Sequence, residues 1–321
     1  VTMRELESFV TVARLGSVKA AAQALGVSEP AVSGAVAALR KDLGDELFVR
    51  GGGGVQLTAG GRRLAAAAAE MLGLMDQARR EIRATQGERS LLRVAATGVV
   101  AESVAGPLLA AFMRRQPNVE VALGVEPEER LGQILLDRRA DVTLGPRPGG
   151  EDAPGVDAVA FLRYRLVVVA APGHVLAARR GLAASALAGE RWLVGPDGAG
   201  PATATGRFLA RARIGTAGVG AFASEAAALD AAVAGQGVML AVAHAVRDEL
   251  RRGGLVRLDV TGTPIDGLWY ASTLAADRRS PGAWALRRFV TTPEANQAML
   301  AGDAGVPADR VRPSVYVTLW S

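Results

Sequence analysis

The chain holds 321 residues, enough for two or three domains, and half are hydrophobic with only 4% aromatic, so its cores must be built from Ala, Val and Leu. Cysteine is absent, which excludes disulfides, thiol nucleophiles and zinc–thiolate sites, and the two histidines, His174 and His244, leave little for metal or triad chemistry. A net charge of +5 permits nucleic-acid binding without demanding it.

Val1-Thr2-Met3-Arg4-Glu5 leads straight into charged, helix-like sequence without an apolar h-region, so no signal peptide is expected. The leading Val reads as a non-AUG start, with Met3 the alternative. Leu6, Phe9, Val10 and Ala13 fall at helical spacing and predict one helix over Arg4 to Leu15 with one buried face, stopped by Gly16. Ser17 is placed to cap a short helix from Val18 to Leu25, and Gly26 to end it. Ser28 can cap a third helix from Glu29, with Pro30 in the first turn and Val27 and Val32 at hydrophobic-staple positions. Val32, Val36 and Leu39 continue its inward stripe. Glu29, Pro30, Ser33, Gly34 and Ala37 form the outward face.

Two short helices around a glycine turn are a helix-turn-helix, and small outward residues would let the backbone approach a DNA groove closely. Leu47 to Arg50 and Val55 to Thr58 flank the glycines 51 to 54 and read as a hairpin, in other words a wing. A generic helical bundle with a hairpin fits the same pattern. Beyond Thr58, Leu64, Ala68, Met71, Met75, Ala78 and Ile82 follow a heptad seam on one long helix, which predicts dimerisation through that helix.

Ser17-Val18-Lys19-Ala20-Ala21-Ala22-Gln23-Ala24-Leu25-Gly26-Val27-Ser28-Glu29-Pro30-Ala31-Val32-Ser33 carries a clear likeness, continued by Leu39, Leu43-Gly44, Leu47-Phe48-Val49-Arg50 and Leu57-Thr58-Ala59-Gly60-Gly61. Residues 3 to 87 resemble the winged helix-turn-helix and linker helix of the LysR-type transcriptional regulators. The resemblance implies DNA contacts from Ser17, Val18, Lys19, Val27, Ser28, Glu29, Pro30, Ala31, Ser33, Gly34, Ala37, Arg40, Lys41, Arg50 and Gly53. Arg62 and Arg63 are further phosphate candidates. Relatives usually carry Gln at the place of Glu29, Arg at that of Gly34, and a basic residue in the wing where Gly51 to Gly54 stand. Glu29 can accept from a cytosine amino group or favour the positive helix N-terminus, and the structural role is the better supported. The first ninety residues hold 12 basic against 10 acidic side chains, so binding is expected to be modest and salt-sensitive.

After Gly87, strands and helices alternate, which predicts an α/β unit with a parallel sheet. Strands are expected at Leu91–Thr97, Val119–Val125, Asp141–Gly145, Leu166–Ala171, Val219–Ala223, Val238–Val242 and Gly267–Leu274. Helices are expected at about 102–115, 128–138, 203–213, 225–234 and 282–291. The uncharged run Ala231 to Val246 is too short for a membrane span, which needs roughly 20 apolar residues, and reads as core. No membrane association is expected, and the chain is expected to be soluble and cytoplasmic.

This order resembles the two-lobed effector domain of the family, similar to periplasmic solute-binding proteins, with landmarks at Asp141–Gly145, Ala171–Ala177 and Val233–Val238. The expected fold is therefore α/β multidomain: a winged helix-turn-helix over 1–60, a dimerising linker helix over 61–88, and a two-lobed α/β effector-binding domain over 89–302. Lobe one would take about 89–162 and 265–302, lobe two about 163–264, with an extension over 303–321 whose Tyr316 to Trp320 reads as strand-like.

Ligands in open α/β sheets lie beyond the carboxyl ends of the strands. That places effector candidates at Thr97, Gly98, Val99, Gly145, Arg147, Pro196, Gly198 and Ser224. Thr97 and Ser224 stand beside helix N-terminal amides and Arg147 could pair with a carboxylate, which favours an anionic or carbonyl-bearing effector. His174, in a loop landmark, reads as structural. Enzyme signatures are missing: there is no Gly-x-Ser-x-Gly elbow, Walker A loop or His-Glu-x-x-His. No cofactor or metal is expected. The reading is a regulator, a homodimer or homotetramer on double-stranded promoter DNA, with a small-molecule effector and room for RNA polymerase as a partner. An enzyme or a solute-binding protein using the α/β portion is the alternative.

Overall fold

The computed structural model describes residues 1–51, 54–149, 154–196 and 198–300. Two compact units emerge, one built on Val1–Ser90 and the other on Leu91–Leu135 and the residues from Ala140 onward.

Local capping chemistry sets out the first unit. Thr2 and Glu5 form a reciprocal capping box that starts α1 (Met3–Leu15), and Gly16 ends it at φ +64°. Ser17 caps α2 (Val18–Leu25), and Ser28 caps α3 (Glu29–Leu43) with Pro30 in its first turn. Leu6, Phe9, Val12, Val32, Val36 and Leu39 are buried together, with Phe9 and Phe48 rings 5.0 Å apart. The inward stripe of α1 is turned from the expected one: Val12 is buried while Val10 and Ala13 only flank the core, because three neighbouring helices touch α1 and widen its buried arc. The expected staple does not form, since Val32 is buried but Val27 is 47% exposed. Val27 instead closes a Schellman turn, donating its N–H to the Ala22 carbonyl while Gly26 donates to Gln23.

Strands β1 (Phe48–Gly51) and β2 (Gly54–Leu57) pair antiparallel, Phe48 opposite Leu57. Asp45 ties this hairpin to the next helix. Its carboxylate accepts from the Leu47 N–H at 2.7 Å and the Thr58 hydroxyl at 2.8 Å, and the Thr58 oxygen accepts from Gly61 N–H, capping α4 (Ala59–Thr85). Gly61 is required by close approach: a Cβ there would lie 2.0 Å from the Leu47 carbonyl oxygen. Along α4 the seam divides. Leu64 and Ala68 pack into the core of their own unit, whereas Met71, Met75 and Ile82 are 53%, 43% and 59% exposed, and Ala78 is exposed too. The expected seam therefore holds as an exposed face only beyond the helix's first turns.

The second unit runs β3 (Ser90–Ala96), α5 (Gly98–Val100), a π turn over Ala101–Ala105, α6 (Gly106–Arg115), β4 (Val119–Val125), α7 (Leu131–Leu136) and β5 (Val142–Gly145). It continues with β6 (Val156–Ala170), β7 (Trp192–Val194), α8 (Ala204–Arg211), β8 (Val219–Ala221), α9 (Glu225–Val233), β9 (Met239–Val242), α10 (Arg247–Arg252) and β10 (Val256–Arg257). Strand β11 (Ile265–Leu274) and helices α11 (Pro281–Phe289) and α12 (Pro293–Leu300) return to lobe one.

The main sheet has the order β10-β6-β11-β5-β3-β4, with β9 also on β6. It is mixed rather than parallel. β3 and β5 are parallel, but β11 is antiparallel to both β5 and β6, and β9 is antiparallel to β6. The chain leaves lobe one along β6 and returns along β11, so these two long strands run in opposite directions and pair antiparallel. The first ten residues of β6 escape the sequence reading because Arg163 and Arg165 interrupt the apolar run, yet Arg165 pairs across the strands with Asp266 at 3.0 Å. Also unforeseen are the three-residue β7 and the short α10, β10 and α12, while the helix expected over 128–138 is a 3-10 turn (Glu128–Arg130) followed by α7.

The cores are aliphatic with a few aromatic anchors. Trp192 is fully buried, donates its indole N–H to the Leu187 carbonyl at 3.2 Å, and packs against Phe208. The run from Ala231 to Val246 supplies core through α9 and β9, as expected. The extension 303–321 and its strand-like segment lie outside the described residues, as does Gly53.

Candidate functional site

The first unit presents one exposed helix face. Glu29, Pro30, Ala31, Ser33, Gly34 and Ala37 are all exposed on α3, while Val32, Val36 and Leu39 hold the opposite face in the core. Ser17 and Ser28 are engaged as caps, accepting from the backbone of Ala20 at 3.3 Å and Ala31 at 3.4 Å. Val18 leans on the core, Val27 and Lys19 are exposed, and so is Lys41. Arg40 lies 3.7 Å from Glu46, and Arg62 donates to the Leu57 carbonyl. Arg50 stands on β1.

The second unit holds a cavity of about 250 Å³ walled by both lobes. Of the expected residues, Thr97, Gly98, Val99, Pro196 and Gly198 line it. Gly145, Arg147 and Ser224 do not. Gly145 backs Thr97 from behind, Arg147 falls outside the lining, and the Ser224 hydroxyl caps α9 by accepting from Ala227 N–H at 3.0 Å.

The sequence reading missed the charged groups of this largely apolar cavity. Glu102, Glu126, Glu128 and Glu225 all line it. Glu102, in the π turn of lobe one, accepts from the backbone N–H of Glu225 at 3.0 Å and of Ala226 at 2.9 Å in lobe two. The first two amides of α9 are therefore occupied by a carboxylate of the chain itself. The Glu225 side chain lies against Gly195, where a Cβ would come within 2.3 Å of its carboxylate oxygen. Burial, with the Glu102 charge beside it, pushes the Glu225 carboxyl up to about 7. Glu128 is raised by burial, partly offset by Arg207, and the Tyr164 hydroxyl is raised by burial and by Glu128. Tyr164 stacks on Trp269 with centroids 4.7 Å apart, and both rings line the cavity.

The acid at the first position of α9 is visible in sequence beside Ser224. Its meeting with Glu102 is not, because they lie 123 residues apart. His174 is structural, as expected: its Nε2 lies 3.2 Å from the Glu190 carboxylate and its Nδ1 accepts from Leu176 N–H. No helix among the described residues is long and apolar enough to cross a membrane.

Both units match family models. Residues 3–62 match the bacterial regulatory helix-turn-helix protein, lysR family, and residues 85–293 match the LysR substrate binding domain. The uncharacterized HTH-type transcriptional regulator Rv0377 of Mycobacterium tuberculosis is 39% identical over the whole of both chains. The HTH-type transcriptional regulator CfxR of Cupriavidus necator is 32% identical over 90% of each chain. Full-length CbnR, solved in complex with its target DNA, shares the fold with a TM-score of 0.58 at 22% identity, covering 90% of this chain and 99% of its own. The chain belongs to the LysR family of transcriptional regulators, with a helix-turn-helix DNA-binding domain and an α/β effector-binding domain. Its family consists of regulators and not of enzymes.

Proposed function

We propose that this regulator binds promoter DNA as a homodimer or homotetramer, with α3 in the major groove and the β1–β2 hairpin beside it. The exposed part of α4 joins the protomers, and a small molecule in the cleft sets the geometry of the assembly. The observation that carries the reading is that one cavity is walled by both lobes, so a ligand there has different contacts in open and closed forms and must shift their balance. A shifted lobe geometry alters how protomers pack, and with it the spacing or bend of the half-sites. The solved complex of CbnR, which shares the fold, with its target DNA supports reading this chain as a DNA binder. RNA polymerase at the promoter is the machinery that the altered DNA would reach, and the cytoplasm is where it would act.

Phosphate grip would come from α3's N-terminal turn, Ser33, Lys41, Arg50 and the arginines opening α4, with Gly34 leaving backbone where relatives carry a longer side chain. Footprinting of the purified chain on DNA upstream of its own gene, across a salt series, tests this. Protection over an inverted repeat that weakens steeply with salt is expected. Binding without a repeat, or without salt dependence, would refute it.

A further inference from the structure

We infer that the cleft selects a compact ligand bearing a cationic group, an ammonium or guanidinium on an apolar body, rather than an anion. This rests on reading the cleft as the effector site. In a chain with 37 basic and 32 acidic residues, the described lining contains four carboxylates and no Lys, Arg or His. Two arginines act on it from outside the lining: Arg130 stands 3.7 Å from Glu126, and the exposed Arg207, bonded to the Ala202 carbonyl, partly offsets Glu128.

The place where an anion would ordinarily settle is already filled. Helix N-terminal amides bind carboxylates and phosphates, but at α9 the Glu102 carboxylate takes two of them and Ser224 a third. Thr203, at the start of α8, caps its own helix and directs its hydroxyl to the Gly198 and Gly200 carbonyls. An incoming anion would meet carboxylates instead of donors.

A cation meets the reverse. No hydrogen-bond partner for the Glu225 carboxylate occurs among the described residues, and Gly195 gives it a fitted seat at the cavity wall. Glu128 faces the same space. The stacked Tyr164–Trp269 pair adds aromatic surface of the kind that attracts cations, and Leu229, Met239 and Val242 supply apolar wall for the ligand's body. The volume of about 250 Å³ lies below the usual range for drug-sized ligands, so the molecule is metabolite-sized.

Isothermal titration calorimetry of the full-length chain with shape-matched pairs of opposite charge tests the inference: benzylamine against benzoate, and butylamine against butyrate. The amines are expected to bind and their acid partners not. Glu225→Gln and Glu128→Gln, which preserve shape, should each weaken amine binding by about tenfold or more. Ala226→Trp, at the exposed mouth, should block it. Acid binding that Ala226→Trp removes would overturn the charge class and keep the cleft as the site. Amine binding that no cleft variant alters would place it elsewhere and undo the cleft reading itself. Binding by neither member of any pair overturns the inference.

Discussion

Glu102 and Glu225 meet across the cleft in two ways at once: the Glu102 carboxylate accepts the backbone N–H of Glu225 at 3.0 Å, while the two side-chain charges repel. Lobe one thus holds lobe two by a helix cap made from the opposite wall. Capping interactions are worth about 1 kcal/mol, less where solvent reaches them as it does here. Such a contact is weak enough to give way when the lobes move.

Replacing Glu102 with Ala should therefore raise hydrogen exchange at Glu225 and Ala226, whose amides lose their acceptor. Ala227, held by Ser224 within its own helix, should keep its protection. Equal loss at all three amides would mean that α9 has frayed as a whole and that Glu102 does not cap it specifically.

The Glu225 carboxyl, raised to about 7 from an ordinary 4.5, carries a pH signature. A raised folded-state value means that the native state holds its proton more tightly than the unfolded chain. The favourable contribution is full below about pH 4.5 and is lost as pH rises through about 7. Glu225→Gln, which mimics the protonated form, should stabilise the effector domain above pH 7 by about 1–3 kcal/mol and bring no gain in acid. Denaturant melts of both proteins along a pH series check this.

In the winged helix, Gly61→Ala should destabilise the first unit by about 1–3 kcal/mol, because the added methyl collides with the Leu47 carbonyl and backbone must move. Asp45→Asn tests the neighbouring contact. Its bonds to Leu47 and Thr58 hold the Asp45 carboxyl below its usual value, so its contribution is present at neutral pH and fades as the solution is acidified. The wild type should show that acid-side slope more strongly than the variant.

Assembly is tested on the outer turns of α4. Met71→Asp with Ile82→Asp should give monomers by light scattering without unfolding the chain, since both residues are more than half exposed. Leu64 and Ala68 are unsuitable for this purpose, because they belong to the unit's own core. A persisting dimer would remove α4 as the joining element.

Ser33→Glu places a carboxylate on the exposed face of α3, where phosphates would approach. Operator affinity should fall by about tenfold or more while the melting temperature stays unchanged. Unaltered affinity in a mobility-shift titration would take α3 out of the groove.

What the sequence determined by itself is local. Ser17, Ser28, Gly16, Gly26 and Pro30 start and stop helices through contacts within four residues, so α1 to α3 and the hairpin could be read from spacing alone. The alternation of strands and helices likewise announced an α/β unit, and several cleft positions were placed in advance, among them Thr97 at a strand end and Pro196 before a helix. Only the tertiary structure decided the rest, because those relations join distant segments. Packing against α1 withdrew Leu64 and Ala68 from the seam. The opposite directions of β6 and β11 made the sheet mixed, and their pairing brought Tyr164 onto Trp269. The charge of the cleft was set in the same way: Glu102 and Glu225 each read as an ordinary acid in the first turn of a helical segment, and only the folding of one lobe against the other turns them into a cap and a half-buried carboxyl. Their pairing depends on the shape of the sheet between them, which spacing along the chain does not encode.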